Sequence, residues 1–171
     1  RSNEPDAAGL ECTLLGSVLE FDTATWFAVT GATVTATLDS RLVPSWRACL
    51  AGAGSILSIG QATAGARAYV LVGGGIDTPP VMGSRSTYTI AGIGGHHGRA
   101  LRSGDVLPIG PSGHPPSALP EDTIVPAPLD WQPLDHVTPR PLRVVPGPQE
   151  DYFTSGGTRA FYSSEFVVGT N

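Results

Sequence analysis

The amino-acid sequence predicts a mainly β protein with few short helices. Three observations carry that expectation. Alternating and β-branched runs recur at short intervals along the chain. The 171 residues include 22 glycines and 16 prolines, well above ordinary usage. Charged residues make up only 15% of the chain, too few for a charge-rich disordered polypeptide. Short strands joined by tight turns account for all three.

Residues 1–9 are polar and read as a frayed end. Leu10 to Leu15 alternates weakly and predicts a strand. Asp22 or Thr23 is placed to N-cap a short helix through Val29, with Gly31 just past its end. Thr33 to Leu38 is β-branched and alternating, so a strand. Asp39-Ser40-Arg41 is a turn, and Leu42 to Leu50 a return strand broken by Pro44. Gly52-Ala53-Gly54 turns into a strand at Ser55 to Ile59. Gln61 to Gly65 turns again, into a strand at Ala66 to Val72. This spacing suggests a meander that closes into a barrel or a sandwich.

Beyond Gly110 the character changes. Over 111–141 prolines recur every few residues, which reads as a partly stiff linker between a first domain (1–110) and a further segment (142–171). Leu142 to Pro146 predicts a strand. Thr158 to Phe166 carries Ala160, Phe161 and Phe166 near helical spacing, with Asp151 as a candidate cap. Such a short segment cannot bury a core alone, so 142–171 reads as the start of a second domain.

Composition excludes several functions. Net charge is −5 and no basic cluster occurs, which argues against nucleic acid as a partner. All ten basic residues are Arg, which removes a Schiff-base lysine and a Walker-type phosphate loop. Cys12 and Cys49 lack metal spacing and read as reduced core thiols, and no metal site is expected. No apolar run is long enough to span a membrane and no signal peptide is visible, so a cytoplasmic protein is the default.

The densest chemistry lies between Arg67 and Gly110. Arg85 stands between Ser84 and Ser86, with Thr87 and Tyr88 behind. A guanidinium so placed can grip a carboxylate or a carbonyl oxygen gaining negative charge, or it can staple the loop by bonding backbone carbonyls. In Gly94-Gly95-His96-His97-Gly98-Arg99, backbone N–H groups between glycines can cradle an anion, with Arg99 adding charge. His96 or His97 could move a proton, although solvated imidazoles are the plainer reading. Gly92 and Gly94 fit a dinucleotide fingerprint, but His97 takes the third glycine position and no strand–helix context surrounds it. Asp77 and Asp105 read as turn residues, Tyr69 as a core residue, and Trp26, Trp46 and Trp131 as packing residues or interface anchors. No Gly-x-Ser-x-Gly elbow occurs.

This stretch resembles the family that includes allophanate hydrolase subunit 2, the C component of 5-oxoprolinase, the KipA-like proteins and the carboxyltransferase region of urea carboxylase. The matching pieces are Arg67-Ala68-Tyr69, Gly73-Gly74-Gly75-Ile76-Asp77 and Gly83 to Tyr88, then Gly94-Gly95, Gly98-Arg99-Ala100-Leu101 and Gly104 to Leu107. Weaker matches lie at Gly31-Ala32, at Pro44 with Trp46, and at Leu142 to Gln149. The resemblance implies a cyclophilin-like β-barrel for 1–110, lacking its N-terminal part, and the truncated beginning of a second such domain after 141. It also implies a companion subunit of the allophanate hydrolase subunit 1 or KipI-like kind, and a small amide or carboxylate substrate. On this basis Arg85 and Arg99 are the catalytic candidates. Ser84, Ser86, Thr87, Tyr88, Gly94, Gly95 and Gly98 are the substrate-binding candidates. The implied activity is ATP-dependent opening of an amide or lactam by a complex in which this chain is inactive alone. Two alternatives are a carboxyltransferase acting on urea-like acceptors, with biotin carried by another chain, and a KipA-like regulatory binding subunit.

Overall fold

A computed structural model describes residues 3–113 and 141–167, and it is mainly β. The strands are β1 (Leu10–Thr13), β2 (Val18–Glu20), β3 (Thr25–Leu38), β4 (Arg41–Val43), β5 (Cys49–Ala51) and β6 (Ile56–Val72). They form one six-stranded antiparallel sheet in the order β1-β6-β3-β4, with β2 also paired to β6 and β5 to β3. Among the described residues no ladder joins β1 to β4, so this sheet is open.

The spine is the β3–β6 pair, in register from Phe27 opposite Val72 to Leu38 opposite Leu57. Its register shifts between Gly31 and Ala36, where irregularities bend and twist the two long strands. The helix expected up to Val29 is not formed. Thr25 to Thr30 are consecutively buried and pair with β5 on one side and β6 on the other. A short apolar run with aromatic and β-branched residues is ambiguous by periodicity, and here two-sided pairing decides for strand. The turn expected at Gln61 to Gly65 does not reverse the chain either. The two strands expected around it are one, β6, because the register irregularities absorb the small residues without ending the ladder.

The main core cluster lies on one face of this sheet, and Trp26 and Ala28 are buried on the other. Phe27, Val29, Leu57 and Val70 are fully buried, joined by Leu10, Phe21, Ile59, Val72 and Ile76. Phe21 and Phe27 meet with ring centroids 5.4 Å apart. Tyr69 and Leu71 alternate with Val70 and Val72, so they occupy the opposite, exposed face; Tyr69 is not a core residue. Burial, then the neighbouring Glu11 carboxylate, raises the Tyr69 phenol above its ordinary value. Cys12 is buried, Cys49 is half-buried, and neither forms a disulfide. Trp26 is buried, whereas Trp131 lies outside the described residues.

The start of the chain is tied down. The Asn3 side-chain amide donates to the Val72 carbonyl at 2.7 Å and accepts from the Gly74 N–H at 3.0 Å, and Ala8 bridges Ile76. The expectation of a frayed 1–9 is corrected for residues 3–9.

The second described unit, 141–167, is treated separately. Leu142 to Pro146 forms no strand. A single turn of 3-10 helix (Glu150–Tyr152) precedes α1 (Ser155–Ser163). Thr154, not Asp151, is the cap: its Oγ1 accepts from the Gly157 N–H at 3.1 Å. The helix therefore starts three residues before the expected Thr158. Most of the linker expected at 111–141 lies outside the described residues. No described helix is long and apolar enough to cross a membrane.

Candidate functional site

The sheet hands the chain to the candidate site at the end of β6. Two feet fix the excursion that follows. The Asp77 N–H donates to the Pro108 carbonyl at 2.8 Å, and the Gly110 N–H donates to the Gly75 carbonyl at 2.9 Å. Ile76 bridges both Ala8 and Ile109. Residues 78–107 thus leave and re-enter at one point of the scaffold, which is how a rigid sheet presents a functional loop.

Within the excursion, 84–88 and 92–98 fold onto each other. Val81 and Ser84 exchange backbone hydrogen bonds at 2.8 and 3.0 Å, and Ser84 Oγ accepts from the Ser86 N–H at 3.1 Å. Tyr88 and Ile93 exchange bonds at 2.8 and 3.3 Å, and the Gly98 N–H donates to the Gly94 carbonyl at 2.9 Å. Gly94 packs on the Ser86 carbonyl and Gly95 on Thr87. The structure therefore brings Ser86, Thr87 and Tyr88 together with Gly94, Gly95 and Gly98. Ser84 stands beside them, turned into its own local hydrogen bond.

Arg85 is held at the Asp77 side of this unit. Its Nη1 donates to the Thr78 carbonyl and to Asp77 Oδ1 at 3.3 Å, and its Nε lies 3.9 Å from Asp6 Oδ2. The buried Thr78 returns a hydroxyl donation to the Arg85 carbonyl at 3.4 Å. The stapling role is thus present. Among the described residues Nη2 has no hydrogen-bond partner, and about a quarter of the side chain is exposed. One edge of the guanidinium remains available.

Arg99 is held differently. Nη1 and Nη2 donate to Asp105 Oδ2 and Oδ1 at 2.7 and 2.8 Å, a bidentate fork, and Nη1 also reaches the Ala100 carbonyl at 2.9 Å. The Arg102 N–H adds a 2.7 Å bond to Asp105 Oδ2. These donors, Arg99 first, hold the Asp105 carboxyl far below the usual carboxylate range; the same pair raises the Arg99 guanidinium. His96 Nε2 lies 3.6 Å from Asp105 Oδ1, and the His97 ring meets His96 edge-on at 4.3 Å.

Asp77 and Asp105 are the residues that sequence reasoning undervalued. Both do sit in turns, as expected, but each also carries an arginine. The available signal was an acid six to eight residues from an arginine across glycine-rich chain, which permits a closed ion pair without requiring one. Among the described residues no group of three or more His, Cys, Asp or Glu is placed to hold a metal. A half-open hollow of about 500 Å³ lies elsewhere, lined by Leu38, Asp39, Arg41, Cys49 and Ser55 among others, and none of the site residues expected from sequence lines it.

Taken together, an antiparallel sheet presents a glycine-rich loop in which Arg85 and Arg99 are each engaged by an aspartate. This defines a β scaffold with a polar loop site rather than a nucleotide-binding α/β fold. The chain belongs to the carboxyltransferase domain family, subdomain A and B, which it matches over residues 2–171. It is 49% identical over 111 residues to the C component of 5-oxoprolinase from Escherichia coli, a match covering 64% of this chain and 36% of that protein. It is 43% identical over 105 residues to urea amidolyase of Saccharomyces cerevisiae, covering 61% of this chain and 6% of that protein. The crystal structure of Kluyveromyces lactis urea carboxylase superposes with a TM-score of 0.62 at 38% identity, covering 71% of this chain and 12% of that one. The chain thus spans about a third or less of these relatives.

Proposed function

We infer that this chain is part of a multi-subunit enzyme of the 5-oxoprolinase or allophanate hydrolase type, which opens an amide or lactam with ATP. The observation that carries this reading is the 49% identity to the C component of 5-oxoprolinase. The loop chemistry supports it. The open edge of Arg85, flanked by Ser84, Ser86, Thr87 and Tyr88, suits a carboxylate or the oxygen of an amide being attacked. Gly94, Gly95 and Gly98 shape the wall against those hydroxyls. Arg99 completes the site through its pair with Asp105.

ATP does not suit the Arg85 and Arg99 sites. The chain has no lysine, and the two candidate arginines, Arg85 and Arg99, already face carboxylates, so a polyphosphate at either would meet an acid. We therefore assign ATP to a companion subunit of the allophanate hydrolase subunit 1 or KipI-like kind. In this reading the complex is cytoplasmic, acts on a small amide or carboxylate, and 1–171 is inactive alone. The cyclophilin-like barrel and the second similar domain after 141 belong to the same proposal.

A second reading is favoured by the urea amidolyase and urea carboxylase relatives: transfer of a carboxyl group from biotin to a urea-like acceptor. None of these 171 residues is a lysine, so in this reading biotin is carried outside them. One assay separates the two. The complete complex is supplied with 5-oxoproline and ATP, or with carboxylated biotin carrier and urea. ATP-dependent release of glutamate supports the first reading. Carboxyl transfer to urea without glutamate release overturns it in favour of the second.

A further inference from the structure

The Asp105 carboxylate has more partners than a turn residue requires. Oδ2 accepts from Arg99 Nη1 and from the Arg102 N–H, both at 2.7 Å. Oδ1 accepts from Arg99 Nη2 at 2.8 Å and lies 3.6 Å from His96 Nε2, an electrostatic rather than a hydrogen-bonded approach. The His96 and Asp105 side chains are only 16% and 15% exposed, so both are enclosed yet reachable. The local backbone fixes this approach: the Arg99 N–H donates to the His96 carbonyl, and the Asp105 N–H to the Arg102 carbonyl.

We propose that Asp105, held in place by Arg99, is a positioning residue that makes His96 the proton-transferring group of this site. A carboxylate facing one ring nitrogen keeps the proton of a neutral imidazole on that nitrogen and leaves the other as an acceptor. Here Nε2 faces Asp105, so Nδ1 is the working atom. Among the described residues the charged or titratable groups facing His96 are Asp105 and His97, with Arg99 behind Asp105. The proposal rests on the amide-opening reading above, since that chemistry needs a base for the attacking water. As the water oxygen bonds to the amide carbon, the carbonyl π pair moves onto the amide oxygen; the water O–H bond breaks, its proton going to Nδ1 and its electron pair staying on the new hydroxyl oxygen. When the amide oxygen's pair re-forms the C=O bond, the C–N bond breaks, its pair goes to nitrogen and the Nδ1 proton is delivered there. The Arg99 charge offsets that of Asp105 and keeps the carboxylate from taking the proton itself. Arg99 thus acts through Asp105 rather than on substrate.

Two measurements on the full chain decide it. Imidazole ¹⁵N shifts of His96, read without substrate, are expected to show the Nε2–H tautomer in the wild type and a mixed population in Asp105→Asn. Identical His96 spectra in both overturn the proposal, whatever the complex does. In the assembled complex, His96→Gln is expected to lower kcat for 5-oxoproline at least tenfold, with KM within twofold. An active complex in which His96→Gln keeps its rate overturns the proposal while leaving the function standing. A complex inert toward 5-oxoproline removes the function instead, and the ¹⁵N spectrum still decides the His96–Asp105 relationship.

Discussion

Gly94 lies so close to Ser86 that a methyl group on its α-carbon would fall 2.3 Å from the Ser86 carbonyl oxygen. Its φ of +71° is one that side chains disfavour in any case. Gly92, with φ +67°, carries the same backbone demand but has open space where its side chain would be. The pair separates strain from clash. Gly92→Ala is expected to cost about 1–2 kcal/mol, the left-handed penalty alone. Gly94→Ala must add a backbone shift, and is expected to cost visibly more and to release the Tyr88–Ile93 bonds. Amide exchange at Tyr88 and Ile93 checks this; equal protection in the two variants would remove the close approach as a constraint on the site.

The scaffold beneath the loop depends on the β3–β6 spine. Leu57 is fully buried opposite Leu38. Leu57→Ala is expected to cost about 2–5 kcal/mol through lost burial and a residual cavity. Urea denaturation of the full-length protein measures it. A loss under about 1 kcal/mol would mean that the open sheet is not the folding core.

Much of the sheet was legible from the chain. The alternation over Thr33 to Leu38 and the turns at Asp39 and Gly52 follow directly from β-branched periodicity and turn chemistry. Two-sided burial was not legible: Trp26-Phe27-Ala28-Val29 shows no period that separates strand from helix, and only pairing with Cys49–Ala51 and Tyr69–Val72 decides it. The site was legible as a composition but not as a geometry. Glycines at 94, 95 and 98 announce a tight loop, yet they only permit a fold; which acid meets which arginine depends on how the loop closes. Hence Arg85 and Arg99 looked equivalent in sequence. In the structure one keeps an open edge and the other is closed in a fork with Asp105.

That fork has an acid signature. The native Asp105 carboxyl is depressed below its unfolded value of about 3.9. Its contribution to loop stability is therefore complete above that unfolded value, and is lost as pH falls through the lower native one. The expected result is a flat Asp105 side-chain carboxyl ¹³C shift from about pH 7 to about 3, across the range in which an unperturbed aspartate titrates. Arg99→Gln should bring the Asp105 inflection back toward that range. An ordinary inflection in the wild type would show that the fork does not persist in solution.

Arg85 provides the sharpest test of the ligand site, because its two edges have separable duties. The Nη1 edge holds Asp77 in an exposed pair, worth at most about 1 kcal/mol, and the Thr78 carbonyl in a part-buried bond worth about 1 kcal/mol more. The Nη2 edge faces no described partner, and a ligand carboxylate there would gain a charged hydrogen bond of about 1.5–3 kcal/mol. Arg85→Ala should accordingly raise KM for 5-oxoproline in the complete complex by roughly 10- to 150-fold, with only a modest fall in the urea midpoint. Arg85→Lys keeps the charge but not the fork, so it should restore part of the lost affinity and none of the geometry. If Arg85→Ala lowers stability as much as it weakens substrate binding, the guanidinium is a staple and no more. If KM is untouched in an active complex, the carboxylate is gripped elsewhere and the glycine loop loses its claim to the substrate.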